Sequence, residues 1–282
     1  MDLTRFPDNK KFIAGSDLQR LKRHGTTFLV FILLAVFLIF IILPVASLFI
    51  KITPGGFLEA LHQPVVLDAL FLSLSTAGIS TAIVILLGTP LSYINARHNY
   101  RGKEIVDTLT DLPIVLPPAV AGLALLMAFG RKGVLGSYLD LLGIQIAFTT
   151  LAVIFAQIFV ASPFYIRQAR ASFEAVDEIY ENAARTLGAS RLYVLLKVTI
   201  PIAWTGLVSG AILSFARALG EFGATIMFAG NFQGKTQTMP LAIYTTMQSS
   251  MDEAISLSII LVAISFAVIL TVKYVAKRER AV

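Results

Sequence analysis

Long apolar stretches with almost no charge constrain this chain more than any other feature of its sequence. They cover residues 27–50, 69–96, 112–130, 146–166, 200–230 and 254–272. Each has about the 20 residues, or more, that a helix needs to cross the hydrocarbon core of a bilayer. Charged residues make up 14% of the chain, whereas soluble proteins have about 25%. The sequence therefore predicts an all-α, polytopic membrane protein with about six transmembrane helices in contact with lipid.

The positions of these stretches divide the chain. We expect a cytoplasmic N-terminal segment at 1–26, a transmembrane domain at 27–275 and a cytoplasmic tail at 276–282. The basic N-terminal segment and the apolar run after it share features with a signal peptide. That run, at 27–50, is too long for one and lacks a small-residue cleavage site, so we expect it to be the first span.

Basic residues fall mainly on one side of the predicted spans. Those before the first span and after the second, fourth and sixth are Arg5, Lys10, Lys11, Arg20, Lys22, Arg23, Arg97, Arg101, Lys103, Arg167, Arg170, Arg185, Arg191, Lys197, Lys273, Lys277, Arg278 and Arg280. The other side has Lys51, Arg131, Lys132 and Lys235. Because loops rich in Lys and Arg stay in the cytoplasm, both termini are predicted to be cytoplasmic. The net charge of +6 then follows from topology, and no nucleic-acid partner is expected.

The longest cytoplasmic connection, residues 167–197, has the pattern of an amphipathic helix. Its apolar residues recur at helical spacing, and they are Phe173, Val176, Ile179, Tyr180, Ala183 and Leu187. Gly188 stands where a left-handed cap would end this helix, and Ser190 is a suitable cap for a second one. Two short helices joined at a glycine can present an apolar knob to a soluble partner. We favour that interpretation over a helix lying on lipid headgroups, because acidic residues suit anionic lipid poorly.

The same segment carries a recognisable motif. Asn182, Ala183 and Ala184 are followed after three residues by Gly188, and nine residues later by a run that ends at Pro201. This pattern resembles the EAA motif of the permeases of binding-protein-dependent ABC importers. The resemblance implies a coupling helix that docks in a cleft of a separate ATP-hydrolysing subunit. The residues it assigns to coupling are Glu181, Asn182, Ala183, Ala184, Leu187, Gly188 and Pro201.

One position departs from the motif. Asn182 stands at the motif's first glutamate, and Glu181 comes immediately before it. The sequence therefore leaves open which of the two residues makes the polar contact with the ATPase.

Several other runs are similar to the permeases of molybdate and tungstate importers. They span residues 112–126, 130–136, 146–169, 217–231 and 234–244. The run Gly220-Glu221-Phe222-Gly223-Ala224-Thr225 and the later Pro240-Leu241-Ala242-Ile243-Tyr244 point to oxyanions, and sulfate or thiosulfate permeases are the alternative. The resemblance implies a type I importer permease that acts as a homodimer with two ATP-binding subunits and an external binding protein. It implies no cofactor of this chain's own, since ATP and Mg would be bound by the ATPase.

Two charged residues lie within the fifth predicted span. Arg217 and Glu221 are four residues apart, so they face the same side of a helix, although an arginine ahead of an acid is the weaker order. Charges inside a membrane are either paired or exposed to a watery path. The resemblance favours the path and its gate, with Phe222 and Thr225 beside the pair. Glu221 would oppose an anion, so we do not expect a tight binding site here.

Residues 230–236 have a misleading similarity to a phosphate-binding loop. The spacing is one residue short of that motif, no strand precedes it, and the predicted topology puts it outside the cell. We expect an external loop, and ATP hydrolysis in another subunit. His24, His62 and His98 are scattered, without paired carboxylates, so we expect neither a catalytic nor a metal site. The chain is predicted to be a transport subunit and not an enzyme.

Small residues also recur within the spans. Ser73, Ala77 and Thr81 are spaced by four, as are Gly206 and Gly210, which favours close helix packing within one subunit over a dimer seam. Two other classes of protein remain as alternatives. A secondary transporter or channel predicts internal repeats and intramembrane carboxylate relays, which we do not find. A membrane anchor predicts spans without the amphipathic cytoplasmic element.

Overall fold

The structure is a computed structural model that describes residues 9–52, 57 and 63–279. Within these ranges every regular element is a helix, as the sequence predicted. In chain order they are α1 (Asn9–Lys51), α2 (Pro64–Arg97), α3 (Lys103–Val115), α4 (Pro118–Phe129), α5 (Gly136–Leu141), α6 (Thr150–Glu174), α7 (Glu178–Thr186), α8 (Arg191–Val194), a π-helical turn (Leu195–Thr199), α9 (Ile200–Leu219), α10 (Gly223–Ala229), α11 (Met239–Thr246) and α12 (Met251–Glu279).

The first helix forms a unit of its own, which comprises residues 1–52. From Leu29 to Lys51 it is long and apolar enough to cross a membrane, in agreement with the predicted span at 27–50. Its apolar side chains between Leu29 and Ile50 are largely exposed, which suits a helix surrounded by lipid. The predicted N-terminal segment 1–26 is helical from Asn9 onward, and its first eight residues lie outside the described part of the chain.

The second unit, residues 53–282, is built around α2, α6 and α9. Small residues allow these helices to approach closely: Ala77 of α2, Ala161 of α6 and Ala218 of α9 are fully buried in one cluster. Gly206 of α9 faces Ser172 of α6 so tightly that a Cβ atom would overlap its side chain. In lipid, where apolar surface alone gives little drive for helix association, this close packing holds helices together. The predicted packing of the small-residue faces within one subunit is confirmed.

Buried hydroxyl groups connect the same three helices. Ser80 of α2 donates to the carbonyl of Ile154 at 3.2 Å, and Ser92 donates to that of Ile166 at 3.1 Å. Ser214 of α9 bonds to Ala161 of α6 at 3.1 Å. Each such hydrogen bond removes a polar group from contact with hydrocarbon and adds about 1 kcal/mol to helix association. They fix the height of α2 and α9 relative to α6.

The predicted third span, 112–130, is not one straight helix. Its first residues belong to α3, and α4 then leaves at a bend of 116°. Two prolines cause the break, because the residue before a proline is driven out of the helical region. Leu116 and Pro117 are accordingly extended, with ψ of 131° and 135°. At 12 residues, α4 is about 18 Å long and too short to cross a bilayer alone.

The predicted fifth span, 200–230, is also divided. The helix α9 ends at Leu219, and a short helix, α10, follows from Gly223. The glycines at 220 and 223 favour the interruption, since glycine is a poor residue within a helix. The two short helices that result from these breaks, α4 and α10, pack together through Ala121, Leu125, Ala224 and Phe228.

The predicted cytoplasmic connection, residues 167–197, does not form the single amphipathic helix that its periodicity predicted. The fourth span runs from Thr150 to Glu174, beyond the predicted end at 166, and it takes Phe173 with it into the core. Val176 is buried in the connection, and a separate helix, α7, begins at Glu178. The periodic apolar residues therefore have two different environments.

At the other end of the chain, α12 continues through most of the predicted tail. The span predicted at 254–272 lies within this helix, which extends to Glu279. Of the predicted cytoplasmic tail at 276–282, residues 276–279 are thus helical, and residues 280–282 lie outside the described part of the chain.

Candidate coupling site and intramembrane ion pair

The helices α7 and α8 meet in a corner whose ends are fixed by local signals. Asp177 caps α7 by accepting a hydrogen bond from the amide of Ile179 at 2.9 Å. Gly188 follows α7 with φ of +87°, a conformation that other residues adopt at a cost. Ser190 then caps α8 by accepting from the amide of Tyr193 at 3.3 Å. The predicted stop at Gly188 and the predicted cap at Ser190 are both confirmed.

The outer side of this corner is apolar and exposed. Leu187 is 89% exposed, and Ile179 and Tyr180 are exposed beside it. A depression of about 590 Å³ lies next to Leu187, lined by Ala184, Leu187, Gly188, Ala189, Ser190 and Tyr193. We call the corner surface the set Ile179, Tyr180, Asn182, Ala183, Ala184, Leu187, Gly188 and Tyr193. It contains five of the seven residues assigned to coupling; Pro201 lies apart, in the first turn of α9.

The remaining coupling candidate, Glu181, faces the other way. It is 2% exposed, and both of its carboxylate oxygens accept hydrogen bonds from this chain. Oε1 accepts from Nε of Arg97 and from Oγ1 of Thr199, each at 2.9 Å. Oε2 accepts from Oη of Tyr93 at 3.2 Å and from Nη2 of Arg185 at 3.3 Å. Sequence reasoning did not anticipate this cluster, because Arg97 and Tyr93 are distant along the chain.

Arg97 ends α2 and binds the segment on both sides of the start of α7. In addition to Glu181, it donates from Nη2 to the carbonyl of Val176 at 2.7 Å. Its side chain is only 8% exposed. A buried arginine needs such a full set of acceptors, since an unpaired buried charge is strongly destabilising. The end of α2 is thereby fastened to α7 and to the connection before it.

A second ionic cluster joins α3 to α6 near the same end of the spans. Arg167 pairs with Asp111 at 2.6 Å, and Arg170 pairs with Asp107 at 2.7 Å. Asp107 also accepts from the side chain of Asn95 at 2.9 Å. From the sequence both arginines indicated topology only, and their acidic partners were not predicted. The available clue was that acidic residues recur at 104, 107 and 111 on one side of α3.

Arg217 and Glu221 form the ion pair that their spacing allowed. Nη1 of Arg217 lies 2.7 Å from Oε2 of Glu221, which is 1% exposed, while the arginine side chain is 28% exposed. The other oxygen, Oε1, accepts from the amide of Ala224 at 2.7 Å. Glu221 therefore bridges the break between α9 and α10 as well as neutralising Arg217.

The other two candidates at this break lie on α10 or just before it. Phe222 stacks obliquely on Tyr244 of α11, with ring centroids 5.4 Å apart. Thr225 is fully buried, and its Oγ1 has no hydrogen-bond partner among the described residues. The break thus brings together a charged pair, an aromatic contact and a buried hydroxyl group.

In the loop that resembles a phosphate-binding motif, residues 230–236, polar groups bond to each other and close a turn. Gly230 and Gly234 have φ of +72° and +70°, and Thr236 is fully buried. The hydroxyl of Thr236 accepts from the amide of Phe232 at 2.9 Å, which closes the turn on itself. Among the described residues, no group of three or more His, Asp or Glu side chains comes together in the way a metal site needs.

These features define the class of protein. In the described part of the chain, five helices are long and apolar enough to cross a membrane, or six if the bent pair α3 and α4 is one span. The spans carry a separate corner of two short helices with an exposed apolar surface. The chain is a multi-pass membrane protein.

Comparison with known proteins narrows the class to a family. Residues 85–281 match the family described as binding-protein-dependent transport system inner membrane component, and the chain belongs to it. The molybdenum transport system permease protein ModB of Mycobacterium tuberculosis is 44% identical over 77% of this chain and 82% of its own length. ModB of Escherichia coli is 38% identical over 76% of this chain and 96% of its own.

Solved structures support the same fold. A bacterial ABC transporter involved in the import of the acidic polysaccharide alginate has a chain that aligns with a TM-score of 0.73, at 16% identity, over 94% of this chain and 98% of its own. The methionine transporter MetNI, in inward-facing conformations, aligns with a TM-score of 0.58 at 15% identity over 76% of this chain and 95% of its own. The predicted type I importer permease fold is confirmed.

Proposed function

We propose that this chain is the membrane-spanning subunit of an ATP-driven importer that moves molybdate or tungstate into the cytoplasm. The observation that carries the proposal is the 44% identity to a molybdenum transport permease over 82% of that protein. The matched part makes up 77% of this chain, so the identity is not confined to a single motif. Sulfate or thiosulfate is the alternative cargo, because these oxyanions have the same tetrahedral shape and charge.

The corner surface is the proposed docking site for the ATPase. A protruding leucine at 89% exposure is unfavourable in water and suits a pocket on a partner. Asn182 is exposed beside it and can make a polar contact with the partner. Ala183 and Ala184 are small enough to let the partner's backbone come close. Gly188 keeps the corner sharp, because its left-handed conformation ends α7 there.

Family membership and the distribution of charge support the rest of the proposed assembly. We propose that the chain lies in the cell membrane with both termini in the cytoplasm, where the basic residues are concentrated. It acts as a homodimer with two ATP-binding subunits and an external binding protein that delivers the anion. ATP and Mg are bound by those ATPase subunits, so this chain is a transport subunit without a cofactor of its own.

The break between α9 and α10 is the proposed gate region of the anion path. Arg217 supplies a positive charge that is partly exposed, and Glu221 compensates it. Because Glu221 neutralises it, Arg217 attracts a dianion only weakly. A weak attraction lets the anion pass through this region and does not hold it there. Phe222 and Thr225 complete this region. The loop at 230–236 is placed outside the cell in this topology.

The test is ATP hydrolysis and uptake by the purified chain in liposomes with its candidate ATPase and binding protein. Molybdate, tungstate and sulfate are supplied separately. We expect stimulation by molybdate or tungstate and none by sulfate. Stimulation by sulfate alone would keep the importer and change its cargo. Failure to bind any ATPase would favour a secondary transporter or channel.

A matched pair of variants tests the docking site. Ala183→Arg places a long charge on the corner surface and is expected to abolish association with the ATPase. Ala175→Arg makes the same change at an exposed position in the connection before α7, outside the corner surface, and is expected to leave association intact. Equal loss in both variants, or in neither, would count against docking at the corner surface.

A further inference from the structure

We propose that Glu181 is a positioning residue that transmits displacement of α7 to α2 and α9, and that it makes no contact with the ATPase. This inference rests on the proposed docking of an ATPase at the corner surface. It divides the motif by role: the exposed residues bind the partner, and the buried carboxylate passes the movement inward.

Burial separates Glu181 from its neighbours in the motif. Asn182 and Ala183 are exposed, whereas Glu181 is 2% exposed and points into the fold. A helix that lies on a surface presents one side outward and the other inward. A partner on the corner surface therefore reaches Asn182 but not the carboxylate of Glu181.

The first connection runs to α2. Arg97 binds Glu181 at 2.9 Å and the carbonyl of Val176 at 2.7 Å, so it holds α7 and the connection before it together. Tyr93, one turn earlier on α2, adds a hydrogen bond at 3.2 Å. Because two residues of α2 bind the same carboxylate, α7 can neither slide along α2 nor move away from it without breaking a hydrogen bond. Movement of α7 must then either carry the end of α2 with it or break these bonds.

The second connection runs to α9. Thr199 is fully buried and donates from Oγ1 to Glu181 at 2.9 Å. It ends the π-helical turn that leads directly into α9, and such turns are frequent at functional positions. The helix α9 continues unbroken for 20 residues, about 30 Å, and ends beside Arg217 and Glu221. One carboxylate thus links the docking helix to the base of the helix that carries the proposed gate.

The network requires a carboxylate rather than an amide. Both oxygens of Glu181 act as acceptors, and every surrounding group donates. Glutamine has nearly the same shape but replaces one acceptor with an NH₂ donor. In Glu181→Gln the hydroxyl of Thr199 or of Tyr93 can turn to accept from this NH₂ group, but the group must also face a donor of Arg97 or of Arg185, and an arginine cannot accept. The variant keeps the packing and disrupts the network.

The chain offers a close control on the same helix. Glu178 also approaches Arg97, but at 4.0 Å and with its side chain 68% exposed. Glu178→Gln removes the same charge from α7 without affecting a buried bond. Thr199→Val provides a second, smaller disruption on the α9 side, because valine has a similar shape and lacks the hydroxyl group.

The experiment measures ATPase binding and the number of anions imported per ATP hydrolysed, in liposomes with molybdate as the probe. For Glu181→Gln we expect unchanged ATPase affinity and a ratio at least about fivefold lower, the lower end of typical coupling energies between sites. Thr199→Val should lower the ratio in the same direction. In the double variant the number of anions imported per ATP should be no lower than in Glu181→Gln alone, because both changes disrupt the same connection between Glu181 and Thr199. Glu178→Gln should match the wild type.

Each outcome bears on the inference. A wild-type ratio in Glu181→Gln would overturn it, and so would a loss of ATPase affinity, which would make Glu181 a contact residue. If Glu181→Gln fails to fold, Thr199→Val decides: a wild-type ratio rejects the transmission to α9. If the wild-type chain binds no ATPase, the proposed function itself is rejected, and the inference with it.

Discussion

Glu181 and Glu221 are both buried glutamates paired with an arginine four residues away, yet they have opposite roles in the fold. Glu181 accepts from donors of α2, α7 and the π-helical turn, as far away as Tyr93. Glu221 accepts from Arg217 and from the amide of Ala224, both within one turn of itself. The first carboxylate joins distant elements, and the second closes a local break.

The order of charges differs as well. Glu181 precedes Arg185 along α7, the favourable order with respect to the helix dipole, whereas Arg217 precedes Glu221. The less favourable order is compensated because Glu221 also caps the start of α10. The comparison shows that spacing in sequence predicts the local pair but says little about which other elements a buried charge connects.

The largest effect is expected from Glu181→Ala. Arg97 would remain buried without its main acceptor, and breaking a buried pair in this way costs about 3–5 kcal/mol. The free energy of unfolding of the chain in mixed micelles, followed by circular dichroism during titration with SDS, measures the loss. A change below 1 kcal/mol would mean that the network is not a structural connection.

Glu221→Ala should have a smaller effect, about 2 kcal/mol, which is typical of losing hydrogen bonds to a charged group. Arg217 is partly exposed, so it can find other partners once the carboxylate is gone. The same titration measures this variant. If it proves as destabilising as Glu181→Ala, the distinction between a distant and a local connection fails.

Arg185→Ala tests the weakest member of the Glu181 cluster. The arginine side chain is 44% exposed, and exposed ion pairs contribute about 0–1 kcal/mol. Glu181 keeps Arg97, Tyr93 and Thr199, so we expect a loss of no more than about 1 kcal/mol. If the free energy of unfolding falls as much as in Glu181→Ala, the cluster depends on its exposed member, Arg185.

The smallest effect on stability is expected from Leu187→Asp. An exposed side chain contributes little to folding, so the free energy of unfolding should change by no more than about 0.5 kcal/mol. Association with the ATPase, measured by co-purification, should nevertheless be lost, because an apolar contact is replaced by a charge. Normal association would remove Leu187 from the proposed docking site.

Much of the fold could be predicted because lipid imposes simple requirements. Span length and charge bias are local properties, and the predicted stretches at 27–50, 69–96 and 254–272 lie within helices of the structure. The positions of the breaks in the third and fifth spans were harder to predict from the sequence. Prolines and glycines indicated them, but the 116° bend depends on how α3 and α4 pack.

The candidate site divides in the same manner. Gly188 and Ser190 could be assigned from sequence, since a left-handed glycine and a serine cap act within a few residues. The burial of Glu181 could not, because its partner Arg97 is 84 positions away. The predicted amphipathic helix failed for a related reason: its periodicity continued across a helix end, and Phe173 and Val176 were drawn into the core.

The sequence by itself determined that this chain crosses a membrane, where most of its spans lie and where the corner between α7 and α8 turns, because those outcomes depend on solvent and on neighbouring residues. Only the tertiary structure decided which buried charges meet across separate helices. An arginine at the end of α2 and a threonine at the start of α9 reach the same carboxylate because three helices pack side by side, and that arrangement leaves no periodic trace in the sequence.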